Sequence, residues 1–322
     1  LSTIVITGAR GYIGSVLAKR LAGEGHVLRL VSRSAAVAGG RGKVEHIAAD
    51  LRDDRAWTSL LSNADAVVHL SSRTDLRAAE ADPAGDEDIN IEPMRALARA
   101  AARVPAPPLV AFASTVTVAG INPRNPVDES APDHPCSVYD RHKLACERIL
   151  REATGRGIMR ACSLRLSNVY GYGAVSINAN RGILNAMMKR AMAGEPLTLF
   201  GDGSYLRDFT HLDDVVDAFC RAIASPAACD GSHYVIATGQ GHSLAEAFAL
   251  VADEALARTG RRIELRHVPE PADLQPIERR NFVGDARLFR ERTGWRPRFD
   301  LQAGIRDYFT RAAARPIAAV GS

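Results

Sequence analysis

Several things are scarce in this chain of 322 residues, and each scarcity closes off a class of protein. The five cysteines, Cys136, Cys146, Cys162, Cys220 and Cys229, are odd in number and show no CxxC or Cys/His spacing. That excludes a disulfide framework or a zinc ribbon as the organising device. Aromatic residues make up 6% of the chain and the arginines are scattered, so with a formal net charge of only +4 nucleic acid is not an expected partner. No apolar run approaches the roughly 20 residues that cross a bilayer, and the first residues lack the charged start and cleavage pattern of a secretory signal. Linkers rich in Pro, Gly or Ser and internal repeats are missing too, so the expectation is one compact body carrying a smaller lobe. A cytoplasmic, reduced, metal-free protein with no membrane partner is the resulting default.

What is present is an ordinary globular composition, 46% apolar and 24% charged, enough to bury a large core. Short apolar runs alternate with helical patterns through the first half, the signature of a parallel sheet with helices on both faces. The expected strands are Thr3–Thr7, Val27–Val31, Val44–Ala48, Ala66–Leu70, Leu109–Ala113 and Ala161–Leu166. Helices are expected at Gly14–Ala22, Arg52–Leu61, Ile89–Arg103 and Tyr139–Ala153. The second half breaks this rhythm, with helices near Ile183–Ala193, Val215–Ser225 and Ser243–Arg258 and an isolated strand at Tyr234–Ala237. The fold class is therefore α/β, a Rossmann-type doubly wound sheet with a smaller C-terminal lobe. Residues 1–170 are assigned to the dinucleotide-binding domain, a segment near 210–237 returns to it, and 171–322 form mainly the substrate-binding lobe.

The first strand runs into TGARGYIG. Gly8, Gly11 and Gly14 allow a tight turn, close backbone approach to a pyrophosphate and close packing of helix on strand, with the helix N-terminus facing the anion. Tyr12 and Ile13 complete the turn. The end of the second strand should discriminate between coenzymes, because a carboxylate there accepts from the ribose hydroxyls of NAD whereas an arginine accommodates the 2′-phosphate of NADP. Ser32 and Arg33 stand at that position, and Arg10 in the turn can reach the same phosphate. NADP(H) is thus preferred, with NAD(H) possible; Arg41 and Lys43 are read as solvated cations. Asp50-Leu51 fits an adenine clamp, the alternative for the aspartate being a helix cap.

YDRHK places Tyr139 and Lys143 on one helix face, where the ammonium lowers a tyrosine pKa from about 10 and makes the phenol usable as acid or base. FASTVTVAG ends a buried strand with two hydroxyls, and strand ends in such sheets are where ligands sit. Ser114 is read as a turn cap and Thr115 as a reacting hydroxyl.

These segments, with HLSS at His69, Asn90, LRLSNVYG from Leu164, GDGSYLRDF from Gly201, THLDDV from Thr210 and GWRPRF from Gly294, resemble in order the extended short-chain dehydrogenase/reductases, and in particular the nucleotide-sugar epimerases, dehydratases and 4-ketoreductases. The resemblance spans nearly the whole chain. It implies that Thr115, Tyr139 and Lys143 form the catalytic triad, and that Leu70 and Ser71 join the coenzyme site. Asn168 and Arg207 would hold a nucleotide-diphosphate sugar, together with either Arg279 or Arg280, of which Arg280 is preferred. His211, Trp295 and Asp213-Asp214 are read as structural. A homodimer through the helices around Ile89–Arg103 and Tyr139–Ala153 is also implied.

Departures from the pattern narrow the reaction. The family's sugar dehydratases carry Asp-Glu just after the Ser/Thr; here Val116-Thr117 stand there, and neither titrates. The arginine at the end of the second strand suits a reductase that consumes NADPH. The reading is therefore a nucleotide-sugar 4-ketoreductase, with an NAD-dependent 4-epimerase as runner-up and a non-catalytic dinucleotide-sensing scaffold as the alternative of another class.

Overall fold

Continuous apolar runs such as Ile4-Val5-Ile6 and Ala66-Val67-Val68 are the pattern of strands covered on both faces, and the computed structural model buries them so. It describes residues 1–33, 43–122, 124–173, 182–272 and 274–314. The order of elements to the middle of the chain is β1 (Thr3–Thr7), α1 (Tyr12–Gly23), β2 (Val27–Ser32), β3 (Val44–Ala48), α2 (Asp54–Leu61), β4 (Ala66–His69), α3 (Leu76–Ala81), α4 (Pro83–Asn90), α5 (Glu92–Ala101), β5 (Leu109–Thr115), a 3-10 turn (Val116–Ala119), α6 (Val138–Gly155) and β6 (Arg160–Leu166). Then follow β7 (Asn168–Tyr170), α7 (Ile183–Ala193), β8 (Leu197–Phe200), β9 (Leu206–His211), α8 (Leu212–Ala224), β10 (His233–Ile236), β11 (Gly241–Ser243), α9 (Leu244–Thr259), β12 (Leu265–Val268), α10 (Arg287–Thr293) and α11 (Leu301–Ala314).

Seven strands form one sheet in the order β10-β6-β5-β4-β1-β2-β3, and every pair in it is parallel. This is a Rossmann-type α/β fold, whose strand order reverses between β1 and β4 and so opens a crevice at their C-terminal ends. One face of the sheet packs against Leu17 and Leu21 of α1 and Val215 and Phe219 of α8. The other packs against Trp57 of α2, Met94 and Leu97 of α5 and Leu150 of α6. A separate core of Leu184, Met188, Phe248, Val251, Ile305 and Phe309 joins α7, α9 and α11 beside two small sheets, β11-β9-β7 and β12-β8. Among the described residues no helix is long and apolar enough to cross a membrane.

Three expectations are corrected. The single helix expected over Ile89–Arg103 is two, α4 and α5, because Pro93 lacks the N–H that would continue the ladder. The helix expected from Val215 begins at Leu212, capped by the His211 ring, which accepts from the Asp213 N–H at 3.3 Å. The second half, expected to hold only isolated strand pieces, contains two small sheets built from β7, β8, β9, β11 and β12, which the apolar pattern does not announce because these strands span three to six residues.

Candidate active site

At the C-terminal end of β1, Thr7 ties the crevice together. Its hydroxyl oxygen accepts from the N–H groups of Leu70 and Ser71 at 3.1 and 3.2 Å, so its own hydrogen goes to Nδ1 of His69 at 3.0 Å. Gly8 follows with φ +65, and a Cβ there would lie 2.9 Å from Leu70 C and Ser71 N. A Cβ on Gly14 would enter the Gly8 carbonyl. Gly11 caps α1 with no side-chain acceptor, and the first turn of that helix has no acid. Among the described residues the first amides of α1 therefore have no side-chain acceptor of their own, the arrangement that receives a phosphate. Residues present here fit a dinucleotide.

The turn opens on a cleft of about 1440 Å³. Gly8, Arg10, Gly11, Tyr12, Ile13 and Gly14 line it from the turn, Arg33 and Asp50-Leu51 from the ends of β2 and β3, and Leu70 and Ser71 from the end of β4. Tyr139 and Lys143 close it from α6. Asp50 does not cap α2; Asp53 does, accepting from the Arg55 N–H at 2.8 Å. The Arg52 guanidinium grips the Asp50 carboxylate at 2.6 to 3.2 Å and holds its pKa down to about 2. Lys43 donates to the Gly25 carbonyl at 3.0 Å, away from the cleft; Arg41 lies outside the described residues.

Helix α6 starts with a capping box in which Ser137 and Asp140 exchange backbone hydrogen bonds. It thereby sets Tyr139 in the first turn and Lys143 one turn on. Lys143 is buried; its Nζ donates to the Ala113 carbonyl at 2.8 Å and stands 5.7 Å from the Tyr139 ring centroid. The roles read for the two hydroxyls ending β5 exchange in part. Ser114 is no cap: it is buried and donates at 2.5 Å to Glu147, which pairs with Arg165 at 2.6 Å. Thr115 is the cap of the 3-10 turn, its oxygen accepting from the Thr117 N–H at 3.3 Å.

Thr115, Asn168, Arg207 and Arg280 lie outside the cleft lining, and the last three form a second cluster. Arg207, on β9, donates to the carbonyls of Leu206 at 2.9 Å and of Glu278 and Arg280. Arg280 donates to the Ile277 carbonyl at 3.0 Å and to Oδ1 of Asn168 at 3.2 Å, while its Nε is buried without a partner. Neither guanidinium has a carboxylate partner among the described residues. Burial lowers the pKa of Arg207 to about 9, with the neighbouring Arg280 charge adding to the effect, and burial lowers that of Arg280 to about 10. Two buried cations with no carboxylate in salt-bridge contact, and only the more distant charges of Glu278 and Asp140 to offset them, cost stability that an anion between them recovers. Arg279 is half-exposed and paired with Glu270 at 2.9 Å, so Arg280 is the residue that faces this site. The cluster adjoins the cleft through Leu166 and Val169, which line the cleft on either side of Asn168.

His211, Asp214 and Trp295 are scaffold. Trp295 Nε1 donates to the Asp214 carbonyl at 3.0 Å, and the Asp214 carboxylate accepts from the N–H groups of Arg298 and Phe299, both at 3.1 Å.

The model of the NAD dependent epimerase/dehydratase family matches residues 4–237. A UDP-glucose 4-epimerase of Mycolicibacterium smegmatis is 31% identical over 94% of this chain and 95% of its own. A dTDP-6-deoxy-L-talose 4-dehydrogenase (NAD(P)(+)) of Kitasatospora kifunensis is 27% identical over 98% and 97%. Among solved structures, MoeE5 in complex with UDP-glucose and NAD superposes with a TM-score of 0.82 at 26% identity, covering 97% of this chain and 99% of that one. The chain belongs to the NAD-dependent epimerase/dehydratase family, in the extended short-chain dehydrogenase/reductase group. It is an NAD(P)-dependent enzyme of that group, which sets the scaffold alternative aside.

Proposed function

We propose that the protein reduces a 4-keto nucleotide-diphosphate sugar with NADPH. The observation that carries this reading is the pair Arg10 and Arg33 on one cleft. They follow β1 and β2, whose ends are paired at Thr7 and Val31, and no carboxylate stands at the end of β2. Such a pair suits the 2′-phosphate that distinguishes NADP.

In this reading the bound nicotinamide supplies the hydride. Tyr139 gives its proton to the sugar oxygen, Thr115 hydrogen-bonds the same oxygen, and Lys143 holds its charge under the phenol. Arg207 and Arg280, with Asn168, hold the diphosphate, and residues beyond 170 other than the returning α8 and β10 form the lobe that carries it. A homodimer would pack through the outward faces of α5 and α6, which light scattering would detect as twice the monomer mass.

A second reading, the 4-epimerase, is favoured by the name of the Mycolicibacterium relative. It uses the same side chains in both directions. Supplying NADPH with UDP-4-keto-6-deoxyglucose separates the two: steady loss of nicotinamide absorbance supports the reductase. Interconversion of UDP-glucose and UDP-galactose with no such loss overturns it in favour of the epimerase. Arg33→Asp should lower NADPH affinity by about tenfold, roughly 1.4 kcal/mol, while sparing NADH; equal loss for both coenzymes would remove the basis of the coenzyme assignment.

A further inference from the structure

A line of side chains leads from Thr115 into the protein. The Thr115 and Thr117 hydroxyl oxygens are 2.8 Å apart, and a short hydrogen bond joins Thr117 to Oδ1 of Asp140. Asp140 is fully buried, and its Oδ2 accepts from the Ser137 N–H at 3.2 Å. No ammonium or guanidinium lies within salt-bridge distance of it among the described residues. Each hydroxyl has one hydrogen, so this line can be polarised in two ways. With Asp140 ionised, Thr117 donates to the carboxylate and Thr115 must donate to Thr117. Thr115 then has no hydrogen left for a ligand. With Asp140 protonated, Asp140 donates to Thr117, Thr117 donates to Thr115, and the Thr115 hydrogen is free to point outward.

We infer that Asp140 is a positioning residue which, through Thr117, decides whether Thr115 offers a donor to the reacting oxygen. The inference rests on the reading above that Thr115 meets that oxygen. A ketone has lone pairs only, and an alcohol whose hydrogen faces Tyr139 also presents lone pairs, so the productive form in either direction is the one with Asp140 protonated.

Burial acts toward that form. Burial raises the Asp140 pKa above the usual carboxylate range, although hydrogen bonds from Thr117 and Ser137 and the charge of Arg280 oppose it. The other polar groups packed on α6 are engaged elsewhere. Glu80 of α3 accepts from the Val138 N–H at 2.7 Å, Asp86 of α4 pairs with His142 at 2.7 Å, and Ser114 of β5 and Arg165 of β6 bind Glu147. The donor arrangement is thus present at low pH and lost as pH rises through the raised pKa of Asp140.

The test is the pH profile of single-turnover hydride transfer from NADPH to UDP-4-keto-6-deoxyglucose, or of UDP-galactose inversion if the protein is the epimerase. The rate of the unmodified enzyme should fall about 10²-fold, the effect of losing one donor to a developing oxyanion, across an ionisation additional to that of Tyr139. Asp140→Asn should abolish that fall, because the amide oxygen can accept from Ser137 while its NH2 donates permanently to Thr117. Thr117→Val should abolish it too, and Thr117→Ser should keep it. Asparagine also caps helices, so unchanged thermal melting of D140N checks that the fold survives. A profile without this ionisation, or one that survives in D140N or T117V, overturns the inference. Thr115→Val with an unchanged rate would instead overturn the placement of Thr115 at the reacting oxygen.

Discussion

The coenzyme cleft and the arginine cluster beside it are built on opposite plans. The cleft is made largely of backbone: three glycines, an uncapped helix and strand ends that hold one another through Thr7. Its glycine turn is one short contiguous stretch of chain, and neither Gly8 nor Gly14 can carry a Cβ without collision. The cluster is made of side chains brought from β7, β9 and the loop after Ile277, more than a hundred residues apart between Asn168 and Arg280. The first is a shape that excludes atoms. The second is a concentration of like charge that the fold tolerates at a cost. A site of the first kind should fail when something is added, and one of the second kind when something is removed.

The largest expected effect lies where the two plans meet. Tyr139→Phe should lower turnover by about 10²- to 10⁴-fold, the usual contribution of a positioned acid, while calorimetry shows coenzyme and UDP affinity unchanged; a smaller fall would move the proton to another group. Next, Gly14→Val should abolish coenzyme binding in a fluorescence titration and cost about 1–3 kcal/mol of stability from overpacking. If NADPH still bound normally, the cleft would not be the rigid shape described.

Arg280→Met tests the other plan. UDP affinity should fall by about 1.5–3 kcal/mol, the range for a hydrogen bond to a charged group. The ligand-free protein should be no less stable in urea, since a buried cation without a salt-bridge partner has been removed. Loss of stability without loss of UDP binding would make the cluster a structural device. The last effect is spread over pH and concerns His69, fully buried at the rim of the cleft, where burial and then the Lys143 charge lower its pKa to about 3 from 6.5. It is neutral in the folded protein, so its stabilising contribution is complete above pH 6.5 and is lost as pH falls toward 3. The slope is up to about 1.4 kcal/mol per pH unit. His69→Gln, which keeps an acceptor for Thr7, should show a shallower loss of stability between pH 6.5 and 4.

This contrast also explains what could be read from the chain. All seven strands of the large sheet are visible as apolar runs, β10 as the isolated piece Tyr234–Ala237, and the glycine turn is visible because its spacing is local. Tyr139 and Lys143 share a helix, so their meeting follows from a period of 3.6 residues. Arg280 could be preferred over its neighbour Arg279 but not fixed from the sequence, because the choice depends on which of two adjacent side chains turns toward Asn168. Thr117 and Asp140 were invisible as partners: they stand on different elements, and an aspartate three residues after Ser137 reads as a helix cap, which it also is. The exchange of roles between Ser114 and Thr115 has the same origin, since adjacent residues of a strand point to opposite faces and only the buried Glu147 shows which face is interior.

Tyr12 lines the phosphate end of the cleft, yet its hydroxyl donates to the Gly171 carbonyl at 2.6 Å and accepts from Nδ2 of Asn185 at 2.9 Å. The helix that follows the glycine turn is thus bolted to the chain just after β7 and to α7. Any displacement of that later segment must either carry the glycine turn along with it or break these two bonds first, which on the proposed reading would make the two ligands mechanical neighbours even before they touch.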